Sequence, residues 1–125
     1  MKLVAVLGLA ALLGASCGGG GGKLFSVQKT RSCLAAQGTT LGGQLDFVAT
    51  TATGGALKAH LGRNFVTIAF GETRADADAI NQAYHRFRSK NVGIEDVLRQ
   101  DGNAVMLWHE HPSDEDLAQI TACLK

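Results

Sequence analysis

Apolar residues follow three different rhythms along this chain. From Leu3 to Ser16 the run is apolar or small throughout and carries no charge; Lys2 precedes it. In the stretches 45–70 and 94–110, apolar residues alternate or cluster with β-branched and aromatic types, in short pieces separated by glycine. From Thr73 to Lys90, and again after Ser113, they recur every three or four residues, the period of a helix with one buried face.

These rhythms predict the elements. Ser26 caps a helix over 27–37, with Gly38 as its stop. Residues 39–44, rich in Gly and Thr, form a loop. Leu45–Ala52, with Phe, Val and Thr, reads as a first strand and the alternating Ala56–Leu61 as a second, with Gly54-Gly55 turning between them. A turn at Gly62-Arg63-Asn64 leads to a third strand, Phe65–Phe70, whose core face carries Val66, Ile68 and Phe70. Thr73 with Asp76 makes a capping-box-like start to a helix with the stripe Ala79, Ile80, Ala83, Tyr84, Phe87. Ile94–Gln100 and Ala104–Glu110 form a hairpin around Asp101-Gly102. Ser113 caps the last helix, which buries Leu117, Ile120, Thr121 and Leu124. The order α-β-β-β-α-β-β-α predicts a two-layer α+β domain. Its sheet has about five strands, antiparallel or mixed, with helices on one side.

The first rhythm belongs to no fold. A positive start, a short apolar core and the small residues Gly14, Ala15 and Ser16 mark a secretory signal peptide over 1–16. It falls short of the roughly 20 apolar residues of a permanent span. The run Leu13-Gly14-Ala15-Ser16-Cys17 resembles the lipobox of bacterial lipoproteins. That resemblance implies that Cys17 takes a diacylglyceryl group, that the mature chain starts there, and that the new terminus can be acylated as well. Two acyl chains anchor a protein stably to a bilayer. Gly14 stands where the family most often has leucine. The alternative is cleavage by the general signal peptidase, which releases a secreted protein. Residues 17–24 then form a tether, the five glycines spanning about 12 Å, and 25–125 one domain. The string GGGGGK is no phosphate loop: Cys17 replaces its first glycine and Leu24 its hydroxyl residue.

Removing 1–16 takes one lysine away and leaves eleven basic against eleven acidic residues. Nothing in that balance favours nucleic acid or an anionic membrane surface. With Cys17 on lipid, Cys33 and Cys123 remain as an even pair in an exported chain, and a disulfide between them is expected. Closing so long a loop is worth roughly 4 kcal/mol.

Candidate chemistry is sparse. On a regular strand His109 and His111 share a side about 7 Å apart, and could bind a transition metal with His60, His85 or an acidic residue. Trp108 with Met106 forms one strand face; left exposed, it would be a binding patch for a protein or ligand. Gly71-Glu72-Thr73, with Arg74, could seat an anion on a helix N-terminus. The basic run Arg86–Lys90 is explained by the helix dipole. No G-x-S-x-G or H-E-x-x-H occurs. The functional expectation is a monomeric, non-enzymatic module without cofactor, lipid-anchored on the outer face of a bacterial cytoplasmic membrane and binding an envelope component. Alternatives are a metal-binding protein using His109 and His111, or a small hydrolase with a nucleophile and a histidine in reach.

Overall fold

The computed structural model describes residues 23–87 and 93–125. The expected signal peptide, Cys17, the five glycines, and Arg88 and Lys90 of the basic run lie outside the described residues. In chain order the elements are α1 (Val27–Ala36), β1 (Thr40–Leu41), α2 (Phe47–Thr50), β2 (Ala56–Leu61), β3 (Asn64–Phe70), α3 (Arg74–Phe87), α4 (Ile94–Val97), β4 (Leu98–Asp101), β5 (Ala104–Trp108) and α5 (Asp114–Ala122). The strands form one open sheet in the order β1-β2-β3-β5-β4, every neighbouring pair antiparallel. This is the expected α+β domain with a five-stranded sheet.

Two hairpins build it. Leu61 pairs with Asn64 around Gly62-Arg63, and Asp101 with Ala104 around Gly102-Asn103. Both turns place glycine first, at φ 62° and 56°, the Gly-X pattern that matches the twist of the flanking strands.

Alternation along the strands sorts the side chains into two faces. Leu57, Ala59, Val66, Ile68, Phe70, Ala104, Met106 and Trp108 share one face, and all are at most 4% exposed. The core face expected for β3 is therefore correct. The other face, with Thr67, Ala69, Val105 and Leu107, is buried too, so helical coverage extends beyond the one side expected. Asn81 and Asp78 of α3 bond Gln100 on this second face, and Tyr84 meets Asp46 beside α2. Helices α2 and α3 thus lie over the second face, leaving α1 and α5 to close the first. The Cys33–Cys123 disulfide joins these two helices, with Cα atoms 5.4 Å apart.

Three predicted strands need correction. Leu45–Ala52 is not a strand: Asp46 caps Ala49 N–H at 2.9 Å, and the segment turns into α2. Its β-branched threonines satisfy the turn by donating backwards, Thr50 to Phe47 O and Thr51 to Val48 O. Ile94–Gln100 begins as the turn α4, because Gly93 is left-handed and the Arg99 guanidinium donates to the carbonyls of Glu95, Asp96 and Leu98. The last strand stops at Trp108 rather than Glu110. There the Asn64 side chain takes over, accepting from Glu110 N–H and donating to Glu110 O.

The helix starts follow expectation: Ser26, Thr73 and Ser113 each accept a first-turn N–H. Asp76 turns its carboxylate to Thr53 at 2.9 Å, tying α3 to the turn before β2. The buried stripe of α3 is Ala77, Ile80 and Tyr84; Ala79 and Phe87, expected inside, are exposed. Among the described residues no helix is long and apolar enough to cross a membrane.

The N-terminal segment is fixed at one end of the sheet. Asn103, in the β4–β5 turn and 2% exposed, accepts from Phe25 N–H and donates to Phe25 O and Gly71 O. Lys23 O receives Asn103 N–H, and Ser26 N–H donates to Lys125 O. The chain therefore enters beside the β4–β5 turn, with its C-terminus alongside.

Candidate functional site

At the opposite end of β5, where α3 and α2 no longer cover the second face, an open cleft of about 370 Å³ remains. Its walls include Asp46, Lys58, Phe65, Thr67, Leu107 and His109. Sheet register explains the gathering. Lys58 on β2 pairs with Thr67, Phe65 on β3 pairs with His60, and Val66 pairs with Trp108, which puts His109 beside Phe65.

The Phe65 ring organises the cleft. The His109 imidazole stacks on it at 4.5 Å between centroids and 13° between planes. The Lys58 ammonium stands 4.3 Å from the ring centroid, a cation–π distance, and donates to Gln44 O. Two nitrogen-bearing side chains, one cationic, are thus held against one aromatic ring. The Asp46 carboxylate across the cleft is already engaged. Oδ1 accepts from Ala49 N–H and from the Tyr84 hydroxyl at 3.0 Å, and Oδ2 lies 2.9 Å from the same hydroxyl.

Asp46 and Leu107 also line a second groove, of about 250 Å³, with Phe47, Val48, Tyr84 and Phe87. Phe47 is 71% exposed and Phe87 62%, and their rings meet edge to face at 6.1 Å. A polar, cation-bearing chamber and an apolar aromatic one therefore share a wall.

No family model, curated protein or solved structure matches this chain. Its function must be argued from its own geometry.

The residues singled out from the sequence fare unevenly. Cys33 and Cys123 form the expected bond. Trp108 and Met106 are 0% and 1% exposed, so this strand face is core and the alternative of a binding patch there falls. His109 and His111 do not stand on one strand face, because the strand has ended. His109 lies on Phe65, while His111 Nδ1 bonds Asp96 at 2.7 Å. Neither His60, on Gly42 O, nor His85, on Asn81 O and Glu95, joins them. Among the described residues no group of three or more His, Cys, Asp or Glu side chains is placed to hold a metal. Among the described residues, the hydrogen-bond partners of the His60, His85 and His111 rings are carbonyls and carboxylates, not a hydroxyl or a thiol that an imidazole could activate. At the α3 N-terminus the Thr73 hydroxyl already takes Asp76 N–H, and Ala77 N–H donates to Thr73 O, so these two donors are engaged within the chain.

The shift at His85 is upward. Its bond to the Asn81 carbonyl is the largest cause, and Glu95 adds to it. Asp78 is lowered, chiefly by the Gln100 amide, with Arg74 adding to it. Both belong to the rim of α3 rather than to the cleft.

Sequence reasoning missed Asp46, Lys58 and Phe65. A usable signal existed for two of them. Lys58 alternates with Leu57 and Ala59, and Phe65 lies out of phase with the core stripe Val66, Ile68, Phe70.

Proposed function

We propose that the chain is an exported, lipid-anchored binding module of a bacterial cell envelope, which engages its partner through the cleft at Lys58, Phe65 and His109. The observation that carries this reading is the opposition of two ends of the sheet. Asn103 clamps the incoming chain beside the β4–β5 turn, whereas His109 and the cleft lie past the far end of β5. Five residues of strand separate them, roughly 17 Å. A tether from Cys17 leaves the cleft turned away from its point of attachment. The disulfide suits an oxidising compartment.

Two measurements test the proposal. Intact mass of the protein purified from membranes should show loss of residues 1–16, added acyl mass and a disulfide. A photo-crosslinking residue at Phe47 should give a discrete adduct in cells, and one at the exposed Gln28, on α1, should not. Recovery of the unprocessed, reduced chain from the cytosol would sink the reading, as would equal labelling from both positions.

A further inference from the structure

We infer that the cleft selects an acidic polypeptide segment bearing an aromatic or long aliphatic side chain, its carboxylate on Lys58 and His109 and its apolar side chain against the paired rings of Phe47 and Phe87. This rests on the binding reading above and names the partner's chemistry. Charge argues first. Both oxygens of Asp46, the one carboxylate in the cleft wall, lie within hydrogen-bond distance of the Tyr84 hydroxyl. Glu95 and Asp96 meet His85 and His111 instead. Lys58 gives one bond to Gln44 O and keeps donors to spare. The His109 ring is held by stacking on Phe65 and makes no side-chain hydrogen bond among the described residues, so its ring N–H is available to donate. Arg86 stands 6.0 Å over the Phe87 ring at the apolar end. The side-chain groups left to meet a ligand's carboxylate are therefore donors, Lys58 and His109 in the cleft with Arg86 at its apolar end, while the Asp46 carboxylate is turned to Tyr84.

Shape argues second. An acyl chain gains most from an enclosed tunnel, but Phe47 and Phe87 stand open on the surface. Exposed rings beside a basic, hydrogen-bonding chamber fit a polypeptide that covers them and reaches past them. The polar and apolar chambers share Asp46 and Leu107, so a carboxylate and an apolar side chain on adjacent or alternate residues reach both.

The test uses the purified full chain with its disulfide intact, labelled for amide NMR, and three short synthetic peptides. The first interleaves Glu and Phe with Ser, the second replaces Glu by Lys, and the third replaces Phe by Ser. The Glu/Phe peptide should shift the amides of Phe47, Lys58, Phe65, Phe87 and His109 saturably, and the other two should bind about tenfold more weakly or worse. Lys58→Gln and Phe47→Ser should each weaken the Glu/Phe peptide about tenfold, while Lys58→Arg retains binding. Unchanged thermal unfolding of the variants separates lost contact from lost fold. Equal or tighter binding of the Lys/Phe peptide at these amides would overturn the acidic preference and leave the binding module standing. So would saturable binding away from the cleft, or none at all; the binding module itself falls only if the crosslinking or the intact mass contradicts it.

Discussion

On one face of the sheet, Val66, Ile68, Phe70, Met106 and Trp108 meet two helices that a disulfide holds together. On the other, a long helix and a four-residue turn cover only part of the strands, and Phe65, Thr67 and Leu107 line the cleft that is left. The first face is closed to the point of a cost. The indole N–H of Trp108 has no hydrogen-bond partner among the described residues, and an orphaned buried donor costs about 1–3 kcal/mol. The second face carries its polar groups at the surface or in pairs. The cross-link lies on the first face, while the side chains of Lys58, Phe65 and His109 line the cleft on the second. Variants on the closed face should therefore change unfolding, and variants on the cleft face should change binding.

The largest expected effect comes from opening the closed face. Replacing Cys33 and Cys123 together by alanine removes a cross-link between residues 90 apart in sequence, worth about 4 kcal/mol. For a domain of this size that corresponds to a fall in Tm of at least about 15 °C, readable by circular dichroism. A much smaller fall would mean that α1 and α5 hold together by packing alone, and the contrast between the faces would lose its main support.

Next comes the clamp. Asn103→Ala leaves Phe25 N–H without its acceptor and takes the amide donor from Phe25 O and Gly71 O. With these groups partly buried, a loss of about 2–3 kcal/mol is expected. Hydrogen exchange at Phe25 should accelerate more than exchange in β3. If α1 frays from its start while the β2–β3 hairpin keeps its protection, the two ends of the sheet are energetically separable.

The same contrast explains what could be read in advance. The closed face was legible because its logic is local. Val66, Ile68 and Phe70 alternate, Ser26 and Ser113 precede their helices, and two cysteines remain once a third is set aside. The cleft face was not. Asp46 stands in a stretch whose Phe, Val and Thr favour a strand, and only the Tyr84 hydroxyl from a helix 38 residues away shows why it caps a turn instead. Strand alternation gives Trp108 a face but not its cover, so alternation alone leaves burial and a surface patch both open, and the structure shows burial. Phe87, placed inside by its helical spacing, is exposed. The histidines misled for a related reason. A two-residue spacing means a shared face only while the strand lasts, and Asn64 ends it at Trp108.

On the cleft face the expected stability effect is smaller. Asp46→Ala removes the cap of α2 and the acceptor of the Tyr84 hydroxyl. A loss of about 1–2 kcal/mol should appear in denaturant unfolding. Peptide binding should fall further than that variant's stability does, because Phe47 follows the cap directly and loses its placement. A variant that unfolds easily yet binds the Glu/Phe peptide as before would show that the turn does not organise the site.

The smallest effect concerns pH, at the rim of the cleft face. His85 is raised above its ordinary value of 6.5, first by the Asn81 carbonyl and then by Glu95. A raised imidazole binds its proton more tightly in the folded state, so its contribution is complete below the unfolded pKa and is lost as pH rises through the folded one. The window therefore opens just above 6.5. Because the His85 and Glu95 side chains are 43% and 74% exposed, solvent screening limits the effect to within about 0.5 kcal/mol. Comparing the parent protein with Glu95→Gln should show a stability difference at about pH 6 that shrinks by about pH 8. Asp78 runs in the opposite sense: held below 3.8 by Gln100, it gives up its contribution only as pH falls below that value. A difference at His85 that grew with rising pH would mean that the folded state holds the imidazole neutral, against the bonds that Asn81 O and Glu95 make to it.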